Sequence, residues 1–310
     1  MRSSVGLSGM SASTKTILNR KGINMKRRYR SGVQLLLTTM FVTLLMMRVA
    51  HAEIESNIII EIETRKGVTL KFIQIKPENP VASVILLDGY GSYQMGSLFG
   101  MPTIGDGKNG VLVRTRKYFA NHDLMVAVVD MPSDQKPSQH PWYGIDPPFR
   151  LSNEHAQDIK AVYTYLKKEA SIPVWLVGMC MGAVSAANGG IKIGEGIDGV
   201  VFLSSVTRPH ESSKLLKSIP NGIIDMNLNL IKVPVLIIVN KDDECGVTPP
   251  SDALRIKKEL VNSQFVEVKF FEGGNAPVSG PCQARSAHGF YGIERKVVSA
   301  IADFIKSHSK

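Results

Sequence analysis

Cys180 stands between two glycines in the run Gly178-Met179-Cys180-Met181-Gly182. A short apolar run, Pro173-Val174-Trp175-Leu176-Val177, precedes it, and a run of small residues able to pack as a helix, 183–190, follows. Strand, sharp turn and helix, with a nucleophilic side chain flanked by glycine two residues to each side, form the pattern of a nucleophile elbow. Such a turn is crowded. Side chains at the two flanking positions would collide with each other or with neighbouring backbone, so Gly178 and Gly182 are required there. The competing reading is a structural cysteine buried in a glycine-rich turn, since the unpaired thiol is among the most buried side chains.

A thiol nucleophile needs a base, and the base needs an orienting carboxylate. Asn240-Lys241-Asp242-Asp243-Glu244-Cys245 follows the apolar run 235–239. Asp243 is the expected acid and Asp242 the alternate; no carboxylate closely follows the other late apolar run, 200–204. His288, in Ser286-Ala287-His288-Gly289-Phe290, sits in a loop before the last helical segment and is the expected base. His122, His140, His155, His210 and His308 lie in polar settings and read as solvated side chains. Asp130 and Arg150 read as surface salt-bridge partners, with an approach to the site as the alternative. An acyl-transfer site also needs two N–H donors for the oxyanion. Met181, at the start of the helix after the elbow, and Tyr90, in Gly89-Tyr90-Gly91, are the expected donors; the alternative for the second is an ordinary turn.

The remainder of the chain must position these groups. Residues 1–52 read as an N-terminal extension and a cleaved secretory signal. Met25-Lys26-Arg27-Arg28-Tyr29-Arg30 is a basic n-region, 33–47 an apolar core too short for a membrane span, and Ala50-His51-Ala52 a small-x-small cleavage site. An uncleaved anchor is the alternative. Nine basic residues and no acid precede Glu53, so the net charge of +10 falls to about +1 for 53–310. The basic balance therefore belongs to the targeting segment, and no nucleic-acid partner is inferred. A periplasmic or secreted location without a stable membrane anchor follows from the signal. Export permits disulfides. Cys245 and Cys282, in two Gly/Pro-rich loops, are the expected pair, which leaves Cys180 free; three reduced cysteines are the alternative.

Residues 53–310 suit one α/β domain. The pattern predicts an antiparallel hairpin over 58–64 and 68–75, then strands at 81–87, 124–129, 174–177, 199–204, 234–239 and 265–271. Helices are expected at 111–120, from a cap at Ser152 or Asn153 to about Ala170, after the elbow, at 251–260, and at 291–308. Loops are expected at 92–110, 132–149 and 272–287, and the irregular stretch 207–232 reads as a small cap. Near-continuous apolar strands alternating with helices mean a mostly parallel sheet covered on both faces.

Taken together, Leu86-Leu87-Asp88-Gly89-Tyr90-Gly91, the elbow, Asp243 and His288-Gly289-Phe290 resemble the α/β-hydrolase superfamily, whose triads run in the order nucleophile, acid, histidine. Within it the chain is similar to secreted bacterial hydrolases, which usually carry serine at the elbow. Cys180 and Met181 depart from that pattern, and a Cys-His-Asp triad instead resembles the dienelactone hydrolases. The resemblance implies an α/β-hydrolase fold and hydrolysis of an ester, lactone or thioester through an acyl-enzyme on Cys180, with a small acyl compound as substrate. No metal-ligand spacing or phosphate loop is present, so no cofactor and no metal are inferred. Two other readings remain: a catalytically degenerate member of the fold that binds a ligand or partner, and a redox thiol at Cys180. The oligomeric state is left open.

Overall fold

The computed structural model describes residues 57–89, 110–135 and 145–309, together with the backbone of 96–98 and 101–103. The expected signal segment, Tyr90, His140, Trp142 and Tyr143 lie outside the described residues.

Ten strands are present among the described residues. They are β1 (Ile58–Arg65), β2 (Val68–Ile75), β3 (Ala82–Leu87), β4 (Gly96–Leu98), β5 (Met101–Thr103), β6 (Leu124–Val129), β7 (Val174–Met179), β8 (Gly199–Leu203), β9 (Val235–Asn240) and β10 (Val266–Phe271). Eight of them form one sheet in the order β1-β2-β6-β3-β7-β8-β9-β10, and β4 and β5 form a separate two-stranded ribbon within the stretch expected as a loop. β1 and β2 pair antiparallel as the expected hairpin, β2 meets β6 antiparallel, and the other pairs of the large sheet are parallel.

Strands β3, β6, β7, β8 and β9 are buried at every position. That is why they read as unbroken apolar runs rather than alternating ones: helices cover both faces of the sheet. Helices α1 (Val111–Ala120) and α5 (Glu294–His308) share one core with Trp175, Val177 and Leu236. Helices α2 (Asn153–Glu169), α3 (Met181–Ile193) and α4 (Ala253–Glu259) share the other with Leu176, Phe202 and Ile237. Each fully buried Val, Leu or Ile contributes about 1.5–3 kcal/mol to this arrangement. The start of α2 is fixed as the sequence implies: the Ser152 hydroxyl accepts the His155 N–H at 3.0 Å.

Residues 207–232 form three short 3-10 turns, Lys214–Lys217, Gly222–Asp225 and Leu228–Leu230. Leu215, Ile223, Leu228 and Ile231 anchor them in the core that also holds α3. Among the described residues no helix is long and apolar enough to cross a membrane.

Three residues read from sequence as solvated are inside. His155 is 1% exposed, Arg150 2% and Asp130 7%. Proline-rich surroundings suggested a surface loop, but Pro147–Leu151 winds into a 3-10 turn that buries Arg150 at the ends of β3 and β6. There its guanidinium donates to the Ser185 hydroxyl at 2.8 Å and reaches the Asp88 carbonyl at 3.5 Å. His155 lies under the Phe149 ring, and its protonation is pushed down to about 3 by burial first and then by the charges of Arg150 and Arg65.

Candidate active site

Cys180 links β7 to α3 in a backbone conformation that ordinary residues avoid, φ 56° and ψ −117°. The flanking glycines are there for space. A Cβ on Gly182 would stand 1.8 Å from the Leu87 carbonyl oxygen, and one on Gly178 would stand 2.5 Å from that of Gly182. Both clashes are with backbone, so neither can be relieved by a side chain moving aside. Gly89 is held just as closely, against the backbone of Met179 and Met181. The crowding presses the end of β3, the turn and the first turn of α3 together, and leaves the Cys180 side chain as the tip. Its thiol is unpaired and half-buried.

Asp243 and His288 come from the same end of the sheet. Asp243 lies three residues beyond β9, and its Oδ1 accepts the Cys245 N–H at 2.9 Å. His288 sits in the 3-10 turn Ala287–Gly289, between β10 and α5. Its Nδ1 is 3.0 Å from Asp243 Oδ2, and both groups are buried. Burial by itself disfavours a charged ring. The negative charge of the Cys180 thiolate and the hydrogen bonds to Asp243 and Cys180 outweigh it, and His288 is raised from 6.5 to about 10. The ring therefore touches the acid on one side and the sulfur on the other. The ring is therefore held protonated beside the sulfur through neutral pH, and that charge is lost as pH rises past about 10. Alkylation of Cys180 by iodoacetamide at pH 6–7 is thus expected to slow in His288→Ala, which removes the charged ring beside the sulfur. Equal rates in the parent and in His288→Ala would contradict the pairing.

Two further side chains complete the arrangement, and neither was singled out in the sequence. The Thr248 hydroxyl lies 3.1 Å from Asp243 Oδ2 and 3.0 Å from His288 Nδ1, bracing the pair. The Ser204 hydroxyl donates to the His288 carbonyl at 3.1 Å, fixing the turn from the end of β8. Asp242, the alternate acid, is exposed and accepts the Gly273 N–H at 2.7 Å, pointing away from the ring. Of the oxyanion donors, Met181 is the first residue of α3, with its N–H beside Gly89; Tyr90 lies outside the described residues.

Cys245 is bonded to Cys282 and closes a loop of 37 residues between the acid loop and the histidine loop. Asp243, Cys245 and His288 have side-chain atoms within 4.8 Å of one another, a spacing that could hold a metal ion. Here the sulfur is spent in the disulfide, and the carboxylate and imidazole are spent on each other. On the chain-entropy account such a loop contributes about 3–4 kcal/mol. Reduction is expected to lower Tm by roughly 10 °C for a domain of this size. A scan with and without reductant checks this, and an unchanged Tm would show that the bridge carries no stability.

A cavity of about 470 Å³ opens over the sulfur. Met179, Met181, Val206, Val247 and Pro281 line it with apolar surface, and Cys180 and His288 stand at its floor. The 207–232 stretch contributes Pro209, His210 and Ser213, which precede its first 3-10 turn, to the wall. Phe149, an aromatic that could have lined a pocket, instead packs against His155 and Arg65.

Strand order, the antiparallel hairpin and a turn of this shape after β7 occur together in one known architecture. The fold is the α/β-hydrolase fold. Solved structures similar to the chain include an esterase of Pyrococcus furiosus, at 17% identity over 82% of this chain and 93% of that one, with a TM-score of 0.54. Est1E from Butyrivibrio proteoclasticus matches at 13% identity over 81% and 98%, TM-score 0.52. A dienelactone hydrolase of Anabaena variabilis matches at 13% over 82% and 99%, TM-score 0.51. No family model matches the chain, and no curated protein matches it in sequence.

Proposed function

We propose that this chain is an exported hydrolase of ester-type bonds that uses Cys180 as nucleophile, His288 as acid and base, and Asp243 as the orienting carboxylate. The observation that carries this reading is that His288 bridges the Cys180 sulfur and the Asp243 carboxylate, with Cys180 and His288 lining an apolar cavity. The Cys180 thiolate attacks the acyl carbonyl. The Met181 N–H, aided by that of Tyr90, holds the tetrahedral oxyanion. The His288 imidazolium gives its proton to the departing alkoxide or thiolate and leaves an acyl-cysteine. Water then attacks the thioester, His288 takes its proton, and the acid departs as the thiolate re-forms. That the similar solved structures include an esterase and a dienelactone hydrolase supports this class of bond. An apolar cavity of this size suits an acyl or lactone group of modest length.

The test is a screen of p-nitrophenyl acyl esters, aryl lactones and acyl thioesters, run on the chain and on Cys180→Ala. Turnover of at least one class, lost in the variant, supports the proposal. No turnover of any, or turnover that survives in Cys180→Ala, refutes it. The disulfide is consistent with export. Cell fractionation with N-terminal sequencing is expected to find the protein outside the cytoplasm, beginning at Glu53.

A further inference from the structure

Strand β10 closes the sheet on one side, and among the described residues nothing pairs with its outer edge. Exposed edges of this kind are usually blocked by proline, a bulge or an unmatched charge. β10 has no proline, and its register with β9 runs unbroken from Val266 to Phe271. It does carry charge, in the order Val266-Glu267-Val268-Lys269-Phe270-Phe271. A single lysine would repel a second copy of the strand. A glutamate and a lysine two residues apart do the opposite when the second copy runs antiparallel.

The backbone fixes which register is available. Phe265 and Phe271 turn their carbonyls toward β9, accepting the N–H groups of Val235 at 2.8 Å and Lys241 at 2.7 Å. Alternate residues therefore direct their N–H and C=O groups outward: Val266, Val268 and Phe270. A two-fold axis at Val268 pairs Val268 with its own copy and Val266 with Phe270 of the second copy. All of these are hydrogen-bonded pairs. Glu267 then faces Lys269 of the second copy in the non-hydrogen-bonded positions, where side chains approach most closely. The two side chains already lie on one face, 3.4 Å apart within a chain. Phe270 is 42% exposed, a large apolar side chain that pairing would cover. The opposite edge differs: the register of β1 breaks between Glu63 and Arg65, and Arg65 is already held by Asp134 and Asp158.

We propose that two copies of this chain associate through β10, antiparallel about Val268, to make one continuous sheet. The sheet's self-complementary charges select a second copy of this chain over an unrelated strand. The interface is independent of the catalytic reading, since it involves no group of the cavity.

Sedimentation velocity on the chain, over a concentration series, is the test. The parent is expected to be a dimer that dissociates on dilution. Lys269→Glu and Glu267→Lys each place like charges opposite one another at two symmetric positions, and each is expected to weaken association about tenfold or more. The double variant Glu267→Lys with Lys269→Glu restores opposite charges, and is expected to recover the parent's dissociation constant to within about threefold. Both altered side chains are half-exposed, and thermal melts establish that each variant is folded before it is compared. A parent that stays monomeric up to about 100 µM overturns the proposal. So do single variants that dimerise like the parent. Failure of the double variant to recover rejects the register.

Discussion

Replacing Cys180 by alanine is expected to reduce ester hydrolysis by about 10³-fold or more while the fold survives. The residue lies at the tip of a strained turn, half-buried at the cavity floor, so the core loses little when the sulfur goes. The serine variant is the more informative of the two. In the parent, His288 is held charged by the thiolate and Asp243 against the cost of burial. Serine supplies no negative charge at neutral pH, so one of those supports is removed while burial remains. The titration of His288, followed by NMR, is expected to move down from about 10, and the ring then has to act as a base toward a neutral hydroxyl. Cys180→Ser should therefore retain only a small fraction of the parent rate, although serine is the usual residue of this turn. A serine variant as active as the parent, with His288 titrating unchanged, would mean that the thiolate–imidazolium pair is not what drives the chemistry.

The elbow was legible in the sequence because its signal is local. Two glycines, a strand before and a helix after are all within a few residues of Cys180, and the clash of any Cβ at Gly182 with the Leu87 carbonyl is the physical reason for them. Asp243 was singled out by its place after a late apolar run and His288 by its loop before the last helix, and the structure brings the two side chains together. Thr248 was not, because a threonine in a proline-rich loop has no pattern of its own. It matters only because the loop folds back over Asp243, with the Cys245 N–H on the other carboxylate oxygen. Arg150 and His155 were misread for a related reason. His155 follows polar residues and Arg150 a proline-rich loop, and their burial is set by what crosses over them: the Phe149 ring on His155, and Ser185 and the Asp88 carbonyl on Arg150. Hydropathy averaged along a chain reports the first kind of surrounding and not the second. The strands fared well because parallel sheets covered on both faces leave unbroken apolar runs. The stretch 92–110 was expected as a long loop and holds the short ribbon β4–β5, whose Gly96–Leu98 and Met101–Thr103 segments are too brief for any periodicity to register.

Asp243→Asn is expected to lower kcat/KM by about 10²–10⁴-fold, and Asp242→Asn to leave it within about threefold. The two carboxylates are adjacent in sequence but do different work. Asp242 is exposed and caps the Gly273 N–H across the β9–β10 loops. Asp243 is buried between the Cys245 N–H, the Thr248 hydroxyl and His288 Nδ1, all of which can donate to it. An asparagine there is isosteric but brings two N–H donors of its own into a ring of donors. At least one oxygen acceptor is lost, and the amide presents its N–H either to the Cys245 N–H or to Nδ1. In the second case His288 is driven to the tautomer with its proton on the nitrogen facing Cys180, the wrong one for a base. Thr248→Val removes only the brace and leaves the acid–histidine bond, so it should cost about tenfold, with the larger part in kcat. A ranking in which Asp242→Asn is the more damaging change would overturn the assignment of the acid. So would an Asp243→Asn variant that keeps full activity with an unshifted His288 titration, because the imidazole would then be oriented by something other than this carboxylate.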